Sequence, residues 1–220
     1  MKKQPSQVIE EYLLYLYKLQ RGKKNIKSVK LVKSLNTSAP TVHATLSRME
    51  RDGLIKVNHA KEILLTKMGL QSAENIAYRH NLAENFLCNT LGIPWSEVHI
   101  HAHKLEHALT PLVVEKLTEF LGQPKFCPHG TPMPGQTLPE NCYTMDKAQT
   151  GSTIEVAMVN EELEDSLELM RILQNKNIMP GYKHKILDNS RVMQSITFDD
   201  GNGPSLLPIH VAEKIIVFSL

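Results

Sequence analysis

Long apolar runs are missing from this chain. No stretch approaches the roughly 18 uninterrupted apolar residues of a membrane-spanning helix, so no membrane partner is expected. The opening MKKQPSQVIEE carries charge where a signal peptide carries its apolar segment, which gives the expectation of a cytoplasmic protein. Cysteine is scarce as well: Cys88, Cys127 and Cys142 are too few and too scattered for a disulfide framework, so one that matters is a free thiol or a metal ligand. The compositional bias of collagen-like, disordered or coiled-coil chains is also absent, since 41% hydrophobic and 22% charged residues are near the globular average. A length of 220 residues allows one large domain or two to three small ones.

What is present is an uneven distribution of charge. The net charge of +2 hides 14 Lys/Arg against 5 Asp/Glu in residues 1–67 and 11 against 18 in residues 68–220. A basic head suits a nucleic-acid-binding module, because neutralising phosphates releases counterions and supplies sequence-independent affinity. Ile9, Leu13, Leu16 and Tyr17 at helical spacing predict a first helix over 8–20 that Gly22 stops, and Val29, Val32 and Leu35 predict a short second helix ended by Asn36. Thr37 and Ser38 offer N-caps and Pro40 suits a first turn, so SAPTVHATLSRMERDG predicts a third helix with Val42, Leu46 and Met49 on one side and Gly53 at its end. LIKV and ILLT predict two strands joined by NHAKE, a hairpin with His59 and Lys61 at its tip. Together these make a winged helix, whose third helix is expected in the major groove, presenting Ser38, Thr41, His43, Thr45 and Arg48. The competing reading is a three-helix domain whose lysines merely solubilise it.

From Gly69 to Leu91 the pattern predicts a long helix, followed by helices from about Trp95 to Leu109 and from Pro111 to Leu121. Prolines at 124, 128, 132, 134 and 139 then impose an irregular connector. Beyond it TIEVAMV, YKHKILD, VMQSITF and KIIVFS predict strands and EELEDSLELMRILQNK one helix, a β-rich domain expected as a partly open barrel. The expected domains are a winged helix over 1–68, a helical domain with the proline-rich connector over 69–140, and the β-rich domain over 150–220.

Histidine carries the strongest chemical signal, with four of the ten in HIHAHKLEH. On a helix His99, His103 and either Glu106 or His107 stack along one face, an imidazole and carboxylate set suited to a metal ion, while His101 points elsewhere. One face rarely completes a coordination sphere, and Glu11 on the first helix, with Glu10 beside it, is a candidate to do so. His80 and Glu84 share a face of the preceding helix, and Cys127 and His129 flank a rigid Pro128. Against each fragment stands a plain reading. A His-x-x-x-Glu pair is more often a surface hydrogen bond, a lone Cys-Pro-His carries little, and Ala102, Leu105, Ala108 and Leu109 give HIHAHKLEH a packing face of its own.

Over essentially its whole length the chain resembles the diphtheria toxin repressor family of iron- and manganese-dependent transcriptional regulators. The stretches that carry the resemblance are SAPTVHATLSRMERDGL, YRHNLAENFL, VHIHAHKLEHAL and CPHGTPMPG. It implies a mainly α fold with β: an N-terminal winged helix-turn-helix, a helical dimerisation domain and a C-terminal SH3-like β-barrel domain. It implies one metal site at Glu11, His103, Glu106 and His107, and a second at His80, Glu84 and His99 with Cys127 and His129, completed by Glu164 or Asp165. DNA contacts are expected from Thr37, Ser38, Pro40, Thr41, His43, Arg48 and Lys61. His103 stands where well-known members carry cysteine or an acidic residue, a neutral ligand that suits iron and zinc as well as manganese. Glu11 stands where iron-responsive members carry a thioether, and its hard oxygen leans toward manganese or iron.

The expected function is a non-enzymatic, homodimeric repressor of metal-uptake genes that binds a palindromic operator when Mn2+ or Fe2+, with Zn2+ as another choice, ties the first helix to the fifth. Two other classes fit the residues. One is a zinc-dependent hydrolase using His80, Cys127 and His129 with Glu84 as base, although no nucleophile motif is evident. The other is a constitutive winged-helix DNA-binding protein with structural zinc.

Overall fold

The computed structural model of the chain describes residues 5–21 and 26–220. The expected stop at Gly22 and the lysine pair behind it lie outside the described residues. The chain divides into two compact units, Met1–Arg79 and His80–Leu220.

The first unit holds α1 (Gln7–Arg21), α2 (Ser28–Ser34), α3 (Ala39–Arg51), the antiparallel pair β1 (Ile55–Val57) and β2 (Ile63–Leu65), and the start of α4 (Lys67–Asn89). Leu13, Leu16, Leu31, Val42, Met49, Ile55 and Ile76 form its core. Local chemistry sets the element ends. Asn36 takes the left-handed conformation (φ 43°) that stops α2, a position asparagine tolerates better than most residues. The Ser38 hydroxyl accepts from the Thr41 amide at 3.3 Å and Pro40 sits in the first turn, so α3 begins where a cap and a proline agree. Thr66 accepts from the Gly69 amide at 3.0 Å, which starts α4 at Lys67 rather than at Gly69. A Cβ on Gly69 would lie 1.8 Å from the Leu54 carbonyl oxygen, so the first turn of α4 rests directly on the backbone entering the wing.

The second unit takes up α4 at His80 and continues with α5 (Val98–Leu105), a single 3-10 turn at Glu106–Ala108, and α6 (Pro111–Phe120), capped by Thr110. After the proline-rich connector come β3 (Tyr143–Thr144), β4 (Thr153–Val159), α7 (Glu161–Glu164), α8 (Leu167–Asn175), β5 (Lys183–Ser190), β6 (Ser195–Asp199), β7 (Pro204–Pro208), α9 (Ile209–Ala212) and β8 (Ile215–Ser219). The six strands form one antiparallel sheet in the order β3-β8-β4-β5-β6-β7, over a core that includes Met145, Ile154, Met170, Leu173, Ile186, Ile196, Phe198 and Val217.

Three expectations are corrected. The single helix over EELEDSLELMRILQNK is two, because the Ser166 hydroxyl accepts from the Leu169 amide at 3.4 Å and caps a new helix. The fifth helix starts at Val98, since Pro94 and Trp95 form a turn closed by the Glu97 amide on the Pro94 carbonyl (2.8 Å), and its α-helical part ends at Leu105. β7, with proline at both ends, and the two-residue β3 escaped notice because neither shows an alternating run. Among the described residues no helix is long and apolar enough to cross a membrane.

Candidate metal centre

Four pieces of the second unit bring their polar side chains to one buried place. α4 supplies His80 and Glu84 one turn apart, α5 supplies His99 and His103, the connector supplies Cys127 and His129, and the end of α7 supplies Glu164. The connector is irregular but held. Gly130 has φ 87°, and a Cβ there would lie 2.1 Å from the Ala157 carbonyl oxygen, so only glycine lets this loop press against β4. The Val159 amide then donates to the His129 carbonyl and the Cys127 amide to the Thr131 carbonyl, both at 2.9 Å. The Asn160 side chain accepts from the Glu162 amide (3.0 Å) and opens the short helix that carries Glu164.

The donors converge on Glu84. Its Oε1 stands 3.1 Å from His80 Nε2, 2.9 Å from His99 Nδ1 and 3.4 Å from His129 Nδ1. Glu164 straddles the group, with Oε2 at 2.7 Å from His99 Nδ1 and Oε1 at 3.5 Å from His129 Nδ1. Second partners orient the rings. His129 donates from Nε2 to the Trp95 carbonyl (3.0 Å), which aims Nδ1 at the carboxylates, and His80 Nδ1 is bonded to Glu106, which aims its Nε2 at Glu84. Donors held by one ion at about 2.0–2.3 Å stand roughly 3–3.5 Å apart when adjacent, so these contacts fit a divalent cation. His129 Nδ1 and Glu164 Oε1 are buried and make no hydrogen bond among the described residues, which is the arrangement a further positive partner completes.

The electrostatics agree. Burial raises the pKa of Glu84, but the imidazoles of His129 and His80 outweigh it and hold the carboxyl well below its usual range. For Glu106 burial is overcome by hydrogen bonds from His103 and His80, and the group sits at about 2. For Glu164 burial is overcome by His129 and His99. Burial opposes the charge on His129, yet Glu164 and Glu84 push it up to about 9, and Glu84 and Glu106 raise His80 in the same way. Burial first, then Glu84 and Glu164, push the Cys127 thiol well above its ordinary value. Three buried carboxylates are thus balanced by protons on imidazoles, which a divalent cation can replace.

The remaining expected residues fall as follows. Glu106 Oε1 lies 3.5 Å from His103 Nδ1 and 3.3 Å from His107 Nε2, so these three meet around one carboxylate oxygen although a 3-10 turn, not the α-helix, carries Glu106 and His107. The two expected sets adjoin at His80, which contacts Glu84 with one ring nitrogen and Glu106 with the other. Glu11 is half-buried on α1 in the first unit. Its neighbour Glu10 is taken: the Arg79 guanidinium pairs with it, both side chains being buried. Between Glu164 and Asp165, the former is buried in the group and the latter is exposed, 3.7 Å from His99 Nε2. His101 is exposed. The orienting role of the Trp95 carbonyl was not foreseen, and no residue type signals it, because the contact is to the backbone.

On the first unit Ser38, Pro40, Thr41, His43 and Arg48 are exposed along α3, Lys61 is exposed at the wing tip, and Thr37 is half-buried. Thr45 is buried and does not belong to the outer face, because it lies three residues after Val42 and four before Met49, on the core-facing side of α3. Ser38 and Thr41 share a hydroxyl contact of 2.8 Å, and Arg48 donates to Ser6 at 3.3 Å.

Residues 5–63 match the family model described as "Iron dependent repressor, N-terminal DNA binding domain", and residues 66–135 match "Iron dependent repressor, metal binding and dimerisation domain". The iron-dependent repressor IdeR of Mycobacterium leprae (strain TN) is 30% identical over 220 residues, covering 94% of this chain and 95% of that one. The chain belongs to the diphtheria toxin repressor family. A structure described as a manganese-dependent transcriptional repressor in complex with manganese superimposes with a TM-score of 0.84 at 26% identity, over 96% of this chain and 100% of that one. The crystal structure of ScaR with bound Zn2+ gives 0.80 at 26% identity, over 98% and 100%. The relatives matched from this family are iron- and manganese-dependent repressors and not enzymes, so the hydrolase alternative is set aside.

Proposed function

We propose that this family member is a cytoplasmic, homodimeric repressor that binds a palindromic operator when loaded with Mn2+ or Fe2+, and that it controls genes of metal uptake. The proposed organisation is a DNA-binding domain over 1–68, a metal-binding and dimerisation domain over 69–140 and an SH3-like domain over 150–220. Its proposed ligands are Glu11, His103, Glu106 and His107 for one ion, and His80, Glu84, His99, Cys127, His129 and Glu164 for the rest. The observation that carries the reading is the convergence of three imidazole nitrogens on the single buried oxygen Glu84 Oε1, in a chain that also holds a basic winged helix.

When bound, the ion supplies positive charge that replaces protons among the buried carboxylates. The chain's residues turn that into control. Glu11 sits on α1, which also carries the core residues Leu13 and Leu16 of the winged helix, so a ligand contributed from α1 makes cation affinity depend on the arrangement of the DNA-binding unit. Only a difference in cation affinity between arrangements shifts their populations. Thr37, Ser38, Pro40, Thr41, His43, Arg48 and Lys61 are the proposed DNA contacts, with two copies reading successive major-groove segments. A gel-shift titration against a genomic palindrome with Mn2+, Fe2+, Zn2+ and chelator in parallel tests this. Metal-dependent retardation is expected, and His107→Ala should abolish it with the fold intact. Retardation that ignores chelator overturns the reading in favour of a constitutive DNA-binding protein.

A further inference from the structure

The turn between α4 and α5 is held from two sides. Trp95 is the chain's one tryptophan, and its ring is buried in the core of the C-terminal sheet domain, the same core that takes Met170 and Leu173 of α8. The two residues after it are gripped from the surface of α8: the Ser96 amide donates to Gln174 Oε1 at 3.1 Å, and the Arg171 guanidinium meets Glu97 Oε1 at 2.7 Å. We propose that Arg171 and Gln174 are positioning residues of the metal centre, which with Trp95 dock the C-terminal sheet domain on the helices in advance of any ion and so fix where Glu164 stands. This deepens the reading above and rests on it, since Glu164 is a ligand only under that reading.

The helix that makes the grip is tied to the carboxylate. Only Asp165 and Ser166 separate Glu164 from Leu167, where α8 begins. The Ser166 amide donates to the Leu163 carbonyl at 3.1 Å and the Ser166 hydroxyl caps α8, so α7 and α8 form one piece. Arg171 and Gln174 are one helical turn apart and share a face, while Met170 and Leu173 are buried in the sheet core. The same turn reaches the other ligand-bearing segments. Glu97 immediately precedes α5, the Trp95 indole donates to the Pro128 carbonyl at 2.9 Å, and the Trp95 carbonyl accepts from His129. Thus α5, the connector and α7 are all registered on residues 95–97. Each contact has its own weight. An exposed ion pair such as Arg171–Glu97 contributes little alone and serves to set the register. Burial of the indole supplies most of the docking, and the amide of the buried Ser96 is costly to leave without an acceptor. Every one of these contacts joins groups of the chain itself, so the ordering of Glu164 is met on folding and does not subtract from cation affinity.

The test uses the full-length chain, with Trp95 emission and MnCl2 as probes. In the wild type with excess EDTA, acrylamide should quench Trp95 weakly, a measurement that needs no variant to fold. Strong quenching there means that the sheet domain docks only with the ion, and overturns the proposal. In calorimetric titration with MnCl2, the double variant Arg171→Glu, Gln174→Ala should bind about tenfold more weakly, the lower end of what supporting residues cost. Its Trp95 should be quenched more strongly in EDTA. Arg171→Lys keeps the charge against Glu97 and should bind Mn2+ as the wild type does. Glu164→Gln supplies the readout that a merely structural role would not move: it should cost less affinity in the double variant than in the wild type, because there the carboxylate is already out of place. Equal cost in the two backgrounds, unchanged affinity in the double variant, or a loss in Arg171→Lys as large as in the double variant overturns the proposal. Those outcomes leave the repressor reading standing, because that reading fails only if operator binding is indifferent to the metal.

Discussion

Arg79 and His80 are neighbours on α4, and both end in buried ion pairs of opposite kinds. Arg79 meets Glu10 with a guanidinium that never loses its proton, so the pair is a fixed, internally neutral part of the first unit. His80 meets Glu84 and Glu106 in the second unit, and its charge lasts only while the ring is protonated. The difference teaches how a buried carboxylate announces its role. Balanced by arginine, it is structure. Balanced by titratable imidazoles that cluster around it, it is exchangeable and open to a competing cation.

Breaking the fixed pair should give the largest effect on stability and none on metal binding. Arg79→Met removes the guanidinium from the buried pair with Glu10, and deleting one member of such a pair costs about 3–5 kcal/mol. Urea denaturation in chelator should show that loss, with the number of bound Mn2+ ions per chain unchanged. Altered stoichiometry means that the two pairs are not independent.

Breaking the exchangeable pair should do the reverse. Glu84→Gln removes the negative charge on which three imidazoles converge and puts an NH2 in place of one carboxylate oxygen, and metal affinity should fall by at least about a hundredfold, the upper end of what even supporting residues cost. That corresponds to about 2.7 kcal/mol. Calorimetric titration with Mn2+ measures it, and an affinity within a few-fold of wild type removes Glu84 from the centre.

How far the sequence displayed this contrast depends on what positions each group. Helical periodicity made His80, Glu84, His99 and His103 legible, because one-turn spacing is a property of residue numbers alone. Winged-helix elements were legible for the same reason, with Ser38 and Pro40 marking the start of α3. Glu10 was noted only as the neighbour of Glu11, since nothing in a sequence says which of two adjacent carboxylates faces an arginine 69 residues away. Glu164 could not be separated from Asp165 because Ser166, read as helix interior, in fact starts a new helix. The Trp95 carbonyl that orients His129 was invisible, since backbone groups carry no residue identity. Thr45 was misassigned to the outer face of α3 because a small hydroxyl side chain is as compatible with a core edge as with a groove.

The titration of the exchangeable group sharpens the comparison next. His129 sits at about 9, above its ordinary 6.5, so its contribution to stability is complete below pH 6.5 and is lost as pH rises through 9. Glu106 sits at about 2, below 4.5, so its contribution is complete above pH 4.5 and is lost as pH falls toward 2. In chelator, Tm should therefore be highest between these limits and drop by several degrees on the alkaline side. Metal affinity should move oppositely over the same alkaline window, because His129 must shed its proton to coordinate. Scanning calorimetry in chelator and Mn2+ titrations in buffers of different ionisation enthalpy read the two trends, and a flat alkaline profile removes His129 from the exchangeable set.

The smallest expected effect supplies the control. Thr66 caps α4, accepting from the Gly69 amide at 3.0 Å and donating to the Gly53 carbonyl at 2.6 Å, without touching either ion pair. Thr66→Ala should cost about 1 kcal/mol, the usual value of such a cap. In a chain of this size that is a Tm decrease of about 2–4 °C. The decrease should be the same with Mn2+ and with chelator and the same at pH 6 as at pH 9, since a neutral cap adds a constant to both states. If instead the cap's cost depends on metal, the start of α4 takes part in the switch, and the division of that helix into a fixed half and an exchangeable half must be redrawn.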